Sequence, residues 1–227
     1  NLFSSGPGGL VESGSTLAGE LSAAGNNLVS NTTYFVYVRA NCGGGDFSEW
    51  TEPASFTTPC DAQNIPYLEN FEEVTVPALP NCMSDQTLLG PDWTTVSTGP
   101  AGMNGQMARC YGYEPVDSWL YTAGLNLTGG VSYRLTYRYS NQYNFYVDAM
   151  KVAYGTDPEN TAMAHTLIDH PAINDGAVHT DTIEFTPAAD GVYYIGFQKY
   201  SNDGTNDAYL YIDDIRVVVT PSCEEPT

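Results

Sequence analysis

The chain has 227 residues, long enough for one large β domain and a smaller one, each with its own core. Its 27 Asp and Glu residues against seven Lys and Arg give a formal net charge of -20, which disfavours nucleic acids and anionic membranes as partners and favours divalent cations. Only 15% of the residues are charged, 17 are tyrosines, and no apolar run approaches the roughly 18 residues of a membrane span. This composition indicates an extracellular β-sandwich protein rather than a helical cytosolic enzyme.

Residues 1–60 predict part of a small β-sandwich. Apolar and polar residues alternate around residues 34–39, which predicts a strand of about ten residues. The glycines at 43–45 predict a hairpin loop, and Ala54–Thr57 predicts the returning strand. The segment therefore contains paired strands, although it is short for a complete sandwich domain.

A tyrosine gives this segment a more specific interpretation. Leu28 lies six residues before Tyr34, which fits the tyrosine corner of immunoglobulin-like sandwiches, where the phenol OH bonds the chain that crosses between the sheets. With Trp50 and the ending Phe56-Thr57-Thr58, the segment resembles the C-terminal half of a fibronectin type III module. Such modules have about 100 residues, so the resemblance implies that the early strands are missing and that the sequence is a piece of a longer protein. Residues 221–227 are then expected to be a linker to a further module.

The five cysteines, at positions 42, 60, 82, 110 and 223, fit an oxidising compartment and match no metal-binding or redox spacing. Cys60 and Cys82 are the preferred disulfide pair, because they flank the segment that opens the second domain. Cys110 is expected to be either a free buried thiol or half of a disulfide. The connectivity of all five stays open.

Residues 61–220 predict a single β domain with almost no helical periodicity. Apolar and polar residues alternate from 133 to 139, as in a half-buried strand. The loops at 99–112 and 156–178 are too long for simple hairpins and are expected to carry any binding surface. This pattern predicts an all-β fold, a two-sheet jelly-roll sandwich preceded by the partial fibronectin-like sandwich. Three further strands are predicted at Phe145–Tyr154, Thr182–Thr186 and Val192–Lys199. A turn is predicted at Pro187–Gly191, between the last two of them.

The last strand, YLYIDDIRVVV at 209–219, contains a break in its alternation. Leu210 and Ile212 share one face, whereas Ile215 and Val217 have the opposite parity. All four can face one core only if an extra residue is inserted, and a β-bulge at the adjacent aspartates 213 and 214 would supply it. A bulge with two adjacent carboxylates is a candidate cation site, and an exposed turn is the alternative.

Four segments together resemble a known family. They are PYLENFEEV at 66–74, SWLYTAGLNLTGGVSYRLTYRY at 118–139, GVYYIGFQKYSND at 191–203 and YLYIDDIRV at 209–217. Their order and spacing resemble the cleaved-adhesin domains of bacterial haemagglutinin-adhesins, also called choice-of-anchor J domains and related in shape to MAM domains. The resemblance implies a calcium-containing jelly roll that is secreted and displayed on a bacterial surface between fibronectin-like modules.

The resemblance also directs the choice of calcium ligands. Calcium takes about six to eight oxygen ligands. If Phe71 faces the core, Asn70 and Glu72 share the opposite face, and they could meet Asp213 or Asp214 because the first and last strands of a jelly roll commonly lie near each other. The resemblance makes Glu72 and Asp213 the first choices, followed by Asp214 and Asn70, and the calcium would be structural. The alternative is that these carboxylates belong to a solvated edge.

Two other polar segments lack the spacing of a known metal-binding motif. His165, His170 and His179 are expected to lie in one long loop region, and their spacing does not suit a zinc site. The stretch at 201–209 lacks the central glycine and terminal glutamate of an EF-hand, so its aspartates are secondary calcium candidates. No nucleophile, zinc-protease or phosphate-loop motif is present, and no pair of carboxylates stands out for glycoside hydrolysis.

Tyrosines supply the candidate ligand-binding side chains. Five of them lie at predicted strand ends or in loops, where rings can stack on sugar faces or anchor a protein partner. The other tyrosines, with Trp93 and Trp119, are expected to fill the core, which is also the alternative for the five. The five candidates are Tyr111, Tyr113, Tyr143, Tyr146 and Tyr200.

The sequence therefore predicts a non-catalytic adhesion or ligand-binding module, not an enzyme, in a secreted, cell-surface bacterial multidomain protein stabilised by calcium. Its expected partners are an extracellular glycan or protein ligand and other domains of the same polypeptide, without nucleic acid or membrane insertion. The alternative is a structural spacer that presents another catalytic or adhesive domain. A hydrolase is a third and weaker possibility.

Overall fold

The computed structural model describes residues 9–17, 19–20, 22–112, 115–201 and 208–221, together with the backbone of residues 2–4. The chain divides into two compact units, Asn1–Asp61 and Ala62–Thr227. Every long element is a β-strand, which confirms the predicted all-β class. No helix in the described part of the chain is long and apolar enough to cross a membrane.

The smaller unit contains an antiparallel sheet of four strands in the order β2-β1-β3-β6 and a separate hairpin, β4-β5. Tyr34 is buried, and its phenol oxygen accepts a hydrogen bond from the backbone N–H of Val29 at 2.7 Å, so the expected tyrosine contact with the upstream chain is present. The resemblance of this unit to a fibronectin type III module stays a prediction. The strands are β1 Leu2–Ser4, β2 Leu10–Ser13, β3 Thr33–Tyr37, β4 Asn41–Gly43, β5 Asp46–Phe47 and β6 Ala54–Thr57.

Strand β3 is five residues long, so the prediction of a strand of about ten residues was wrong. Beyond Tyr37 the regular strand pairing ends, and side-chain hydroxyls accept two of the backbone N–H groups. The N–H of Val38 donates to Thr51 Oγ1 at 3.1 Å, and the N–H of Ala40 donates to Ser48 Oγ at 2.8 Å. The returning strand at Ala54–Thr57 is as predicted.

The larger unit is a sandwich of two antiparallel sheets. The first sheet has the order β16-β13-β18-β10-β9, with β7 beside β18, and the second has the order β15-β14-β17-β11-β8, with β12 beside β17. Side chains from both sheets meet in one core, which confirms the jelly-roll prediction. The strands are β7 Tyr67–Glu69, β8 Ser84–Leu89, β9 Trp93–Val96, β10 Met107–Tyr111, β11 Asp117–Tyr121, β12 Leu125–Leu127, β13 Tyr133–Ser140, β14 Asp148–Gly155, β15 His165–Ile173, β16 His179–Phe185, β17 Gly191–Tyr200 and β18 Tyr209–Val219.

The predicted bulge is present in β18. Arg138 pairs with Asp213, but Thr136 pairs with Arg216, so β18 has one more residue than β13 across this interval. Asp214 has a φ of 51°, in the left-handed region that an asparagine or aspartate tolerates better than most residues. The apolar residues before and after the bulge, at 210, 212, 215 and 217, are all fully buried. The phase break in the sequence was therefore interpreted correctly.

Two long loops were predicted where the structure has strands. The segment 156–178 contains β15, and 99–112 contains β10. Strand β15 is at the edge of its sheet and mostly exposed, so no alternating pattern marks it. Strand β10 has buried residues on both faces, because Met107 packs in a small outer cluster with Met103 and Tyr211. Neither strand therefore shows the alternation by which half-buried strands are recognised.

The cysteines separate into two groups. Cys60 and Cys82 are both disulfide-bonded, and their pairing with each other stays a prediction. Cys42 is a free, exposed thiol. Cys110 is free and fully buried, and burial raises the pKa of its thiol to about 12.

These environments predict different reactivities for the two free thiols. In the folded protein near neutral pH, iodoacetamide should alkylate Cys42 and leave Cys110 unmodified, because the buried thiol forms little thiolate and the reagent cannot reach it. Peptide mass mapping measures both sites, and in denaturant both should react. Equal labelling of the two thiols in the folded protein would contradict the structure.

Candidate functional site

One face of β18 joins two groups of side chains. Tyr209, Tyr211 and Asp213 occupy alternate positions of the strand, so they share the face opposite to the core residues Leu210 and Ile212. Near Asp213 this face meets two further carboxylates, and near Tyr209 it meets several aromatic rings. We call these groups the acidic site (Glu72, Asp213 and Asp214) and the aromatic patch (Tyr111, Tyr143, Phe145, Tyr146 and Tyr209).

Asp213 is the most buried carboxylate of the acidic site, with 3% of its surface exposed. Its Oδ1 accepts a hydrogen bond from the N–H of Asp214 at 2.8 Å. Burial raises the pKa of the Asp213 carboxyl to about 7; the charges of Asp214 and Glu72 add to this rise, while that hydrogen bond and Arg138 oppose it. Asp213 is therefore costly to ionise in this structure without a cation.

Glu72 is held beside this carboxylate by the loop that precedes β10. Its Oε1 accepts a hydrogen bond from the N–H of Gln106 at 2.9 Å, and Gln106 Nε2 donates to the Glu72 backbone carbonyl at 3.0 Å. Gly105 has a φ of 83°, which favours glycine, and a Cβ there would lie 1.7 Å from Glu72 Oε1 and would displace the carboxylate. The position of Glu72 is thus fixed by close backbone contacts.

Strand β7 ends at Glu69, and Glu72 and Glu73 lie in a turn. Asn70 and Glu72 therefore do not share a strand face, contrary to the prediction from the sequence. Phe71 is fully buried, as expected, but it reaches the core with a φ of 58°. Asn70 Oδ1 accepts the N–H of Glu72 at 3.4 Å. Strand β7 pairs with β18, with Glu69 opposite Ile215, so the expected proximity of the first and last strands of this unit is confirmed.

The carboxylates of the acidic site are the type of ligand that a hard cation prefers. The site places the buried Asp213 within the electrostatic range of Glu72 and Asp214, and Arg138 Nη1 lies 3.3 Å from Asp214 Oδ2. No group of three or more His, Cys, Asp or Glu side chains in the described part of the chain has the arrangement of a metal site. A cation bound here would therefore be held by Asp213 and Glu72 together with backbone or amide oxygens.

The aromatic patch forms where three chain segments meet. Tyr111 of β10 lies 4.7 Å from Tyr209 of β18, measured between ring centroids, and Tyr143 lies 6.1 Å from Tyr209. Tyr143 is 5.2 Å from Phe145, which is 4.6 Å from Tyr146. Phe145 is 65% exposed and Tyr111 is 39% exposed. The rings therefore form a continuous surface that solvent can reach.

A buried asparagine supports the loop that carries three of these rings. Asn141 is fully buried, and its Nδ2 lies 2.9, 3.2 and 2.6 Å from the carbonyl oxygens of Tyr143, Tyr146 and Ile173, which share its two N–H donors. Its Oδ1 accepts the N–H of Gly176 at 3.0 Å. The loop is thus anchored to the sandwich through one side chain, which holds its aromatic residues in place.

The structure divides the predicted tyrosines. Tyr111, Tyr143 and Tyr146 lie together in the aromatic patch, whereas Tyr113 lies outside the described residues. Tyr200 is on the other sheet, where its OH donates to Asp169 Oδ1 at 2.6 Å.

Phe145 and Tyr209, which the sequence placed inside strands, complete the patch. The signal for Phe145 was the run Tyr143-Asn144-Phe145-Tyr146, which is too rich in aromatics on both parities for a half-buried strand. No comparable signal marked Tyr209.

The histidines are not in one loop, contrary to the prediction. His170 lies on β15 and His179 on β16, and His165 begins β15. His170 Nε2 lies 2.7 Å from Asp181 Oδ2, which also accepts the OH of Tyr137 at 2.8 Å. Because β15 and β16 belong to different sheets, this contact joins the two layers at their edges.

Comparisons with solved structures identify the fold. No protein-family model and no curated protein matches the chain. The K1 cleaved adhesin domain of Lys-gingipain from Porphyromonas gingivalis has a TM-score of 0.54 and 16% identity over 68% of this chain and 98% of that domain. The K3 domain from the same organism gives 0.54 and 19% over 67% and 96%, and the K2 domain of Lys-gingipain gives 0.54 and 16% over 67% and 99%. The chain has the cleaved-adhesin fold.

The raised pKa of Asp213 predicts that, when a chelator removes any bound cation, the stability of the fold depends on pH. Since its folded pKa is about 7, above the unfolded value near 3.8, the contribution of Asp213 to stability is lost as pH rises through about 7. Asp213→Asn should therefore be more stable than the wild type at pH 8, by several degrees in Tm, and close to it at pH 4.5. Thermal unfolding in EDTA measures this difference.

The control for this experiment is Asp157→Asn, which changes an exposed aspartate in a bend. Its Tm should follow that of the wild type at every pH. If Asp213→Asn shows no gain in stability over the wild type with rising pH, the carboxyl of Asp213 is more exposed to solvent in the metal-free protein than in this structure.

Proposed function

We propose that this chain is a non-catalytic adhesion module of a secreted, surface-displayed bacterial multidomain protein, and that it binds an extracellular glycan on the aromatic patch. The observation that carries this proposal is the patch itself, a continuous and partly exposed set of rings around Tyr143 and Tyr209. Exposed aromatic clusters of this kind mark binding surfaces, because the rings offer large apolar faces at little cost in conformational entropy.

The fold is consistent with this role. The three Lys-gingipain domains that share it are described as cleaved adhesin domains. The patch also lies at strand ends and on a loop, where β-sandwich proteins commonly place binding residues on a rigid scaffold. The apolar face of a sugar ring stacks on tyrosine and phenylalanine rings, and polar groups beside Tyr209, such as the guanidinium of Arg109 at 5.4 Å from the ring, can bond its hydroxyls.

We also propose that calcium binds at the acidic site and stabilises the module. A divalent cation would offset the cost of ionising Asp213 and reduce the repulsion between Asp213, Asp214 and Glu72. Calcium would then join β18 to the turn after β7 and to the loop that carries Gln106. Its role would be structural, because the acidic site contains none of the rings of the aromatic patch.

The glycan proposal predicts a selective effect of mutations in the patch. On a glycan array in calcium buffer, the full chain should bind at least one class of glycan, and Tyr209→Ala or Phe145→Ala should weaken that binding about tenfold or more, because each removes a central contact surface. Tyr200→Ala is the matched control, since Tyr200 lies on the other sheet, and it should bind as the wild type does.

Other outcomes of the array would decide against a glycan ligand. Binding only to extracellular proteins, with the same sensitivity to Tyr209→Ala, would replace the glycan by a protein partner. If no glycan or protein binds and calcium changes only the melting temperature, the module is a spacer that presents another domain.

Calcium binding predicts a change in thermal stability. At about 100 times its Kd, calcium should stabilise the wild type by about 2.7 kcal/mol, which corresponds to a rise in Tm of several degrees that EDTA reverses. Asp213→Asn and Glu72→Gln should lose most of this rise, because each removes a charged ligand. Asp157→Asn should keep it. A rise of equal size in the Asp213 variant would place the cation elsewhere.

A further inference from the structure

The core of the larger unit contains an ion pair that is removed from solvent. Lys199 of β17 and Asp148, the first residue of β14, both have side chains with 0% exposure. Lys199 Nζ lies 2.5 Å from Asp148 Oδ1. The strands are hydrogen-bonded neighbours, with Met150 opposite Lys199, so the two side chains reach each other diagonally across the ladder.

Both members of the pair also bond the backbone of one residue. Lys199 Nζ donates to the carbonyl of Ala208 at 3.1 Å, and Asp148 Oδ1 accepts the N–H of Ala208 at 3.2 Å. Ala208 is itself fully buried and precedes Tyr209 of the aromatic patch. The pair therefore anchors the start of β18 beside the proposed ligand-binding surface.

Burying a complete ion pair at this depth costs considerable free energy of folding, and the pair bonds the backbone of only one residue. Removing an ammonium and a carboxylate from water costs several kcal/mol for each ion, and their mutual attraction often does not repay it. A reaction that joined the two groups into a neutral product would remove both charges. It would also keep one N–H donor for the carbonyl of Ala208 and one carbonyl acceptor for its N–H.

We propose that Lys199 and Asp148 condense to an intramolecular isopeptide bond, an amide between Nζ and Cγ. The ammonium first passes one proton to the carboxylate, which leaves a neutral amine beside a carboxylic acid. Nζ then attacks Cγ, so that the C–N bond forms and one C–O bond breaks. The departing hydroxyl takes a second proton from Nζ and leaves as water. The reaction needs no oxidant, reductant or other co-reactant.

Two physical features favour condensation at this site. Groups held in contact by a folded protein react with effective molarities of about 10⁵–10⁸ M, which replaces the entropy cost of bringing two molecules together. Burial of both side chains also excludes the solvent water that would hydrolyse the amide. Cys110, whose pKa burial raises to about 12, remains a neutral thiol nearby and does not compete as a nucleophile.

The isopeptide bond would connect two neighbouring strands of the second sheet covalently. It closes a loop of the chain from residue 148 to residue 199, and it fixes Ala208 through the amide. The inference does not depend on the ligand of the aromatic patch, nor on calcium.

Intact mass spectrometry of the full chain tests the proposal directly. After reduction and denaturation, the wild-type protein should be lighter than its sequence mass by one water molecule. Lys199→Met and Asp148→Ala should each have their full sequence mass, because neither can form the amide. The wild-type measurement decides the matter even if these variants fold poorly.

Tryptic mapping locates the bond. Trypsin does not cut after an acylated lysine, so residues 139–151 should appear joined to an uncut peptide of residues 152–216. A succinimide at one of the three Asp-Gly sequences (175–176, 190–191 and 203–204) would also lose water, but it would not join two peptides and would persist in Lys199→Met. Wild-type protein at full sequence mass, with normal cleavage after Lys199, would overturn the proposal and leave a buried ion pair.

Discussion

The bulge in β18 is the constraint on which the larger unit depends. Leu210 and Ile212 before it, and Ile215 and Val217 after it, all pack into one core although the two pairs have opposite parity. Burial of such side chains contributes about 1.5–3 kcal/mol each. Without the extra residue, one pair would face away from the core, so the left-handed conformation of Asp214 is a modest cost by comparison.

The bulge also organises the opposite face of the strand. Tyr209, Tyr211 and Asp213 lie on one face of β18 up to the bulge. At the bulge the side chain of Asp213 lies in a buried environment. The loop before β10 covers this face, with Met103 against Tyr211 and Gln106 bonded to Glu72. One strand thus supports the core on one side, and the proposed cation and ligand sites on the other.

How far the sequence predicts this arrangement depends on the range of the interactions. The bulge and the strand from 133 to 139 follow from local alternation, and the structure confirms them. Phe71 is buried as expected, although it lies outside any strand. Strands β10 and β15 were missed because one is buried on both faces and the other is largely exposed. Asn70 and Glu72 were assigned to a shared strand face, whereas a local turn sets their positions.

The sequence by itself determined the all-β class, the phase break in the last strand, and a strongly acidic, tyrosine-rich composition, because these follow from residue counts and from the periodicity of neighbouring residues. Only the tertiary structure decided which side chains meet. It joined Tyr111, Tyr143 and Tyr209 from three segments, separated Tyr200 from them, and paired Lys199 with Asp148 in the core. Such contacts depend on strand order and register, which arise from packing between residues distant in the chain and leave no local pattern in the sequence.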